Sequence, residues 1–172
     1  SFVYELSKIL KIKEKSFIES LKSFVGLSHR HEIFYKKNNK IFINDSKATT
    51  FEASRYALKH NKNIFWIVGG FPKKGDKFQL KDVRKNIIEA YIIGKHTGFF
   101  IKQLKGRIDY KVSRTLDNAL KKVFIEIQKT EAHEEATILL SPASSSYDQY
   151  KNFGERGNHF KKLVKFYGEK YF

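Results

Sequence analysis

Apolar positions along the chain follow two different periods, and the switch between them outlines a fold. In the opening segment Phe2, Leu6, Ile9 and Leu10, then Phe17, Ile18, Leu21 and Phe24, recur at helical spacing on either side of a Lys-rich joint at 11–15. Two short helices are predicted there, with Gly26 as their stop. From His31 the period changes. The runs 31–37 and 40–44 read as strands joined by Asn38-Asn39, a pair suited to a tight hairpin. Ile41 to Ile43, Ile64 to Val68, Ala90 to Ile93 and Ile138 to Leu140 are apolar without a break, the mark of strands covered on both faces.

Helix-sized segments separate these runs. One spans about 50–60, with Thr49 and Glu52 at capping-box spacing. Others cover 97–104 and a clearly striped stretch carrying Leu116, Ala119, Leu120, Val123, Phe124 and Ile127. A closing helix is marked by Phe160, Leu163, Val164 and Tyr167; residues 77–85 are weakly helical, and 110–112 read as a short edge strand. The alternation predicts an α/β fold: a mostly parallel sheet with helices on both faces, preceded by two short helices.

Composition narrows the class. A chain of 172 residues is expected to form one domain, possibly with a small appendage, and to expose roughly 8,700 Å². There is no Cys, which excludes a disulfide framework, an iron–sulfur cluster, a thiolate zinc site and a Cys nucleophile. No stretch approaches the length of a membrane span, and the first 15 residues lack the apolar centre of a signal peptide. Cytoplasm is the default expectation. There is also no Met, even at position 1, so the chain is expected to be a piece of a longer protein. Of the six histidines, His29 and His31 bracket Arg30, a poor neighbour for a cation, and no metal site is expected.

The formal charge of +16 raises the question of nucleic acid. The excess is nearly all Lys, 28 of the 34 basic residues, spread from Lys8 to Lys170. Arg, the residue that reads base edges bidentately, occurs only six times. The charge therefore reads as a solvated basic surface, with no specific nucleic-acid partner; a basic nucleic-acid-binding module is the alternative of another class.

In an open parallel sheet, ligands bind beyond the carboxyl ends of the strands. Three strand exits here carry chemistry: Asn44-Asp45-Ser46-Lys47-Ala48-Thr49, then Gly69-Gly70-Phe71-Pro72-Lys73-Lys74-Gly75, and the run from Ser141 to Tyr150. Glycines allow close approach, lysines offer point charges to carboxylate or phosphate, and hydroxyls and free N–H groups can receive an anion. Asp45, an acid at the end of a central strand, needs a partner that Arg30 or Lys47 could supply. Asp148 could pair with a lysine or cap a helix. The dinucleotide fingerprint, the P-loop and the serine-hydrolase elbow are all absent.

These residues carry a resemblance. Gly26-Leu27-Ser28-His29-Arg30, Ile43 to Thr49, Gly69 to Lys73 and the block from Leu139 to Gly157 together resemble the C-terminal domain of the Mur ligase family, in its D-glutamate-adding branch. The last block is the most specific. The resemblance covers 26–172 as that Rossmann-like domain and 1–25 as the last helices of the central ATPase domain. Ser28 stands where the family often has Pro, and Ser144 where it often has Cys.

The resemblance implies an ATP-dependent ligase of peptidoglycan synthesis. A carboxylate of UDP-N-acetylmuramoyl-L-alanine is phosphorylated by ATP, and the amine of D-glutamate attacks the acyl phosphate. ATP and Mg2+ would be held mostly outside this chain, which would close as a lid. Carried over by motif, Arg30 and Asp45 face ATP and Lys47 approaches the reacting phosphate. Thr49 and Lys73 (or the adjacent Lys74) hold the α-carboxylate of D-glutamate. Ser146, with Tyr147 and Phe153 beside it, holds the side-chain carboxylate. A monomer is expected, inactive as this fragment alone. A sister ligase for another amino acid is the nearer alternative.

Overall fold

The computed structural model describes residues 2–129 and 134–172; His133 lies outside the described residues. Strands β1 (Glu32–Lys37) and β2 (Lys40–Asn44) form an antiparallel hairpin. Its turn residues Asn38 and Asn39 have φ of 48° and 56°, the left-handed pair that a two-residue hairpin turn requires. The other strands are β3 (Ile64–Gly69), β4 (Ile87–Ile93), β5 (Tyr110–Arg114) and β6 (Ala136–Leu140). They assemble in the order β1-β2-β6-β3-β4-β5, and every neighbouring pair except the hairpin is parallel. The last strand in sequence thus sits in the middle of the sheet.

Helices cover both faces, as the unbroken apolar strands demand. On one side lie α3 (Phe51–His60) and α4 (Thr97–Leu104), packed over Trp66, Val68, Ile92 and Leu139. On the other lie α5 (Leu116–Ile127) and α6 (Phe153–Tyr171), over Phe42, Phe65, Ile67, Tyr91 and Ile138. Phe42 stacks on Phe124 with ring centres 5.5 Å apart. Burying such a ring contributes about 1.5–3 kcal/mol. The buried Trp66 keeps its polar end satisfied, since its indole N–H donates to the Ser141 carbonyl at 2.7 Å.

Two local expectations need correction. Residues 77–85 do not form a helix; only a 3-10 turn at Arg84–Asn86 appears. Phe78, Leu80 and Val83 are all buried, but their spacing suits an extended strap and not a helical stripe. Phe78 stacks on Phe51 at 4.5 Å, which fixes the strap across α3. The cap of α3 is also displaced by one residue. Thr50, at φ −138°, accepts the Ala53 N–H at 3.3 Å, so Thr49 is not engaged as the cap.

The two leading helices, α1 (Phe2–Ile9) and α2 (Glu14–Ser23), touch each other through Tyr4 and Phe17 at 5.5 Å. Neither contributes an apolar side chain to the core around the sheet: Phe2, Ile9, Leu21 and Phe24 are exposed, and Val25 is 99% so. This is why the surface reaches 10512 Å², above the roughly 8,700 Å² expected of a compact chain of this mass. Among the described residues, no helix is long and apolar enough to cross a membrane.

Candidate functional site

Because β2, β6 and β3 are adjacent and parallel, their carboxyl ends lie side by side, and the three loaded exits meet on one edge. Backbone hydrogen bonds lace them together. The Asp45 N–H donates to the Leu140 carbonyl at 2.8 Å, and the Gly69 N–H to the Pro142 carbonyl at 2.9 Å. Phe71 and Ser145 exchange a pair of hydrogen bonds at 2.9 and 3.1 Å. Glycine is required at this junction. At Gly69, φ is 132° and a Cβ would come within 2.1 Å of the Ile93 carbonyl oxygen; at Gly70, φ is 138° and it would come within 2.3 Å of that of Ser145.

Asp45 is buried, but its partners are not the expected ones. Its Oδ2 accepts the Ser141 hydroxyl at 2.7 Å and its Oδ1 the His31 N–H at 3.1 Å. Arg30 acts on it only through charge, and Lys47 does not pair with it. Burial therefore dominates and pushes the Asp45 carboxyl up to about 6, with the two hydrogen bonds and Arg30 opposing. Lys47 is exposed and lies over the Phe153 ring at 5.0 Å, while its N–H donates to the His29 carbonyl at 3.0 Å.

Arg30 sits on a sharp bend, flanked by His29 and His31 at φ 63° and 47°. Left-handed non-glycine residues persist only where surroundings hold them. Here the holding group is a polar network that sequence reading missed. Asn44 meets His29 Nδ1 at 2.9 Å and donates to Glu32 at 3.1 Å, and Glu32 pairs with Lys161 at 2.9 Å. Gly157 on α6 makes room, since a Cβ there would come within 2.3 Å of His29 Nδ1. Burial lowers the pKa of the His29 imidazole, with the Glu32 carboxylate opposing.

The remaining candidates lie on these exits or, for Phe153, at the start of α6 beside them. Thr49 is half-buried, Lys73 and Lys74 are exposed, Ser146 is buried, Tyr147 is exposed and Phe153 is half-buried. Phe153 carries its ring at the first position of α6, 6.0 Å from that of His29. Asp148 neither pairs with a lysine side chain nor caps a helix. Its Oδ2 accepts the Lys95 backbone N–H at 2.8 Å and ties in the exit of β4.

The other omission was Arg156, which is 1% exposed on the first turn of α6. Its Nε donates to Ser46 Oγ at 3.1 Å, and its Nη2 to the carbonyls of Ser46 and Ser144 at 2.9 and 3.0 Å. An arginine three residues after the start of a closing helix was the signal available, but nothing local says that it turns inward. Among the described residues no trio of His, Asp or Glu is placed to hold a metal ion.

No family model matches the chain. It is 42% identical over 153 residues to the UDP-N-acetylmuramoylalanine–D-glutamate ligase of Wolbachia sp. subsp. Brugia malayi (strain TRS), covering 89% of this chain and 30% of that protein. It is 38% identical over 162 residues to the ligase of the same name from Rickettsia felis, covering 94% and 36%. The chain thus spans about a third of the curated relatives it matches. Among solved structures, the bifunctional folylpolyglutamate synthase/dihydrofolate synthase of Yersinia pestis CO92 aligns with a TM-score of 0.54 at 13% identity, covering 88% of this chain and 34% of that one, a likeness of fold. With the three exits on one sheet edge and close relatives along nearly its whole length, this chain is a Mur ligase family domain.

Proposed function

We propose that this chain is the amino-acid-binding part of a longer ATP-dependent ligase that joins D-glutamate to UDP-N-acetylmuramoyl-L-alanine in peptidoglycan precursor synthesis. Residues 26–172 are the domain that closes over the reaction, and 1–25 are the end of the preceding ATPase domain. The observation that carries the reading is the convergence of hydroxyls, lysines and glycine turns from three separate strand ends at one edge. A dicarboxylic amino acid needs donors at two separated points, and such an edge offers them.

In this reading Thr49 and Lys73 hold the α-carboxylate of D-glutamate, and Ser146, with Tyr147 and Phe153, the side-chain carboxylate. Arg30 and Asp45 face ATP, and Lys47 lies toward the transferred phosphate. The exposure of Lys73 and Tyr147 suits groups that are covered only when the domain closes. Closure would exclude water from an acyl phosphate that otherwise hydrolyses. Mg2+ would be bound mainly by residues outside this chain.

The test is ADP release by the full-length protein, measured with each substrate omitted in turn. Release that requires both D-glutamate and the UDP-sugar supports the assignment. Release with another amino acid and none with D-glutamate moves the chain to a sister ligase.

A further inference from the structure

Arg156 is a buried charged side chain that reaches toward all three strand exits. It holds Ser46 on the exit that carries Lys47 and Thr49, and the Ser144 carbonyl on the exit that carries Ser146 and Tyr147. Toward the third exit, its Nη1 lies 3.2 Å from where a Gly70 Cβ would stand, on the loop that leads to Lys73. Nη1 has no hydrogen-bond partner and is fully enclosed. Among the described residues no carboxylate forms an ion pair with it, and the Asp148 carboxylate acts on it only through charge.

A buried cation held by neutral acceptors is a costly way to tie loops together. Apolar packing does that work with less desolvation. What the charge adds is geometry and field. A planar fork fixes the angles between its acceptors, and a positive charge behind a donor-lined edge favours an incoming anion.

We propose that Arg156 is a positioning residue for the amino-acid substrate: it sets the spacing of the segments bearing Thr49, Lys73 and Ser146. This rests on the function proposed above. The guanidinium does not touch substrate; it acts through Ser46, Ser144 and the Gly70 turn. Desolvation lowers it to about 10, so it remains a cation at neutral pH. A lysine at this position keeps the charge but cannot span Ser46 and Ser144 together.

The experiment compares the full-length protein with Arg156→Lys and with Ser46→Ala, which removes the Nε acceptor, and the hydroxyl's bond to the Phe153 carbonyl, and leaves the guanidinium in place. Folding is checked by circular dichroism and thermal unfolding, and KM is measured for each substrate in turn. The expected result is a rise in KM for D-glutamate of about tenfold in Arg156→Lys and about threefold in Ser46→Ala, with KM for the UDP-sugar within about twofold. If Arg156→Lys does not fold, Arg156→Gln, which keeps a planar donor without the charge, is measured beside Ser46→Ala, and both must raise KM for D-glutamate. A D-glutamate KM that stays put, or KM values for all substrates rising together, overturns the positioning role and leaves the ligase reading intact. No D-glutamate-dependent turnover by the unsubstituted protein overturns both.

Discussion

The Ser141 hydroxyl donates to Asp45 Oδ2 at 2.7 Å across the ends of two neighbouring parallel strands, β6 and β2. Ninety-six positions separate the two residues in sequence, yet the bond joins two of the three exits of the candidate site. It also leaves a carboxyl with too little solvation, which has a measurable consequence.

Asp45 titrates near 6 in the fold against an ordinary 3.8, because burial penalises its charged form. A raised pKa contributes stability that is fully present below the unfolded value and is lost as pH rises through about 6. Asp45→Asn removes this loss, since an amide keeps the shape and carries no charge. Relative to the unsubstituted protein, the variant should gain about 2–3 kcal/mol between about pH 4 and pH 8. Denaturant unfolding at a series of pH values checks it. Parallel pH profiles for the two proteins would show that the carboxyl is not the titrating group.

The adjacent threonines should separate cleanly. Thr50→Ala removes the α3 cap and should cost about 1 kcal/mol of stability. Thr49→Ala should cost less than about half of that, as at ordinary surface positions, while raising KM for D-glutamate. Thermal unfolding paired with steady-state kinetics reads both effects. A stability loss confined to Thr49→Ala would restore the cap to the position that the capping-box spacing suggests.

Glycine substitutions offer a sharp contrast between a strand end and a helix. Gly69→Ala places a methyl 2.1 Å from the Ile93 carbonyl oxygen at a φ of 132°, and should cost at least about 3 kcal/mol. Gly98, exposed on α4 with nothing near its missing Cβ, should gain up to about 1 kcal/mol on replacement by Ala. Urea midpoints measured together decide it; similar values for the two variants would refute the close-approach argument.

Lys73→Ala in the full-length protein removes a point charge that the proposal aims at a carboxylate. KM for D-glutamate should rise by about tenfold or more and KM for ATP by less than about twofold. Lys74→Ala is the control. Should Lys74→Ala produce the larger effect, the substrate lysine is the second of the pair.

The elements were legible because their signals are local. Short uninterrupted apolar runs between helix-sized segments fit strands covered on both faces, and the stripe from Leu116 to Ile127 returns as α5 with the bounds its spacing suggests. The strap at 77–85 was not legible: Phe78, Leu80 and Val83 answer to Phe51 and the α4 face and not to one another. The strand pattern and the residue types marked the three loaded exits, but the sheet order put them together, since insertion of β6 between β2 and β3 brings Ser141 against Asp45. Partner choice was likewise a tertiary matter. Asp45 takes a hydroxyl and a backbone N–H in place of Arg30 or Lys47, because exposed cations gain little by surrendering water whereas groups already buried must pair with one another. Composition could count Arg156 among six arginines. That it turns inward beneath three loops depends on α6 docking its first turn over the strand ends, a contact between segments more than a hundred residues apart.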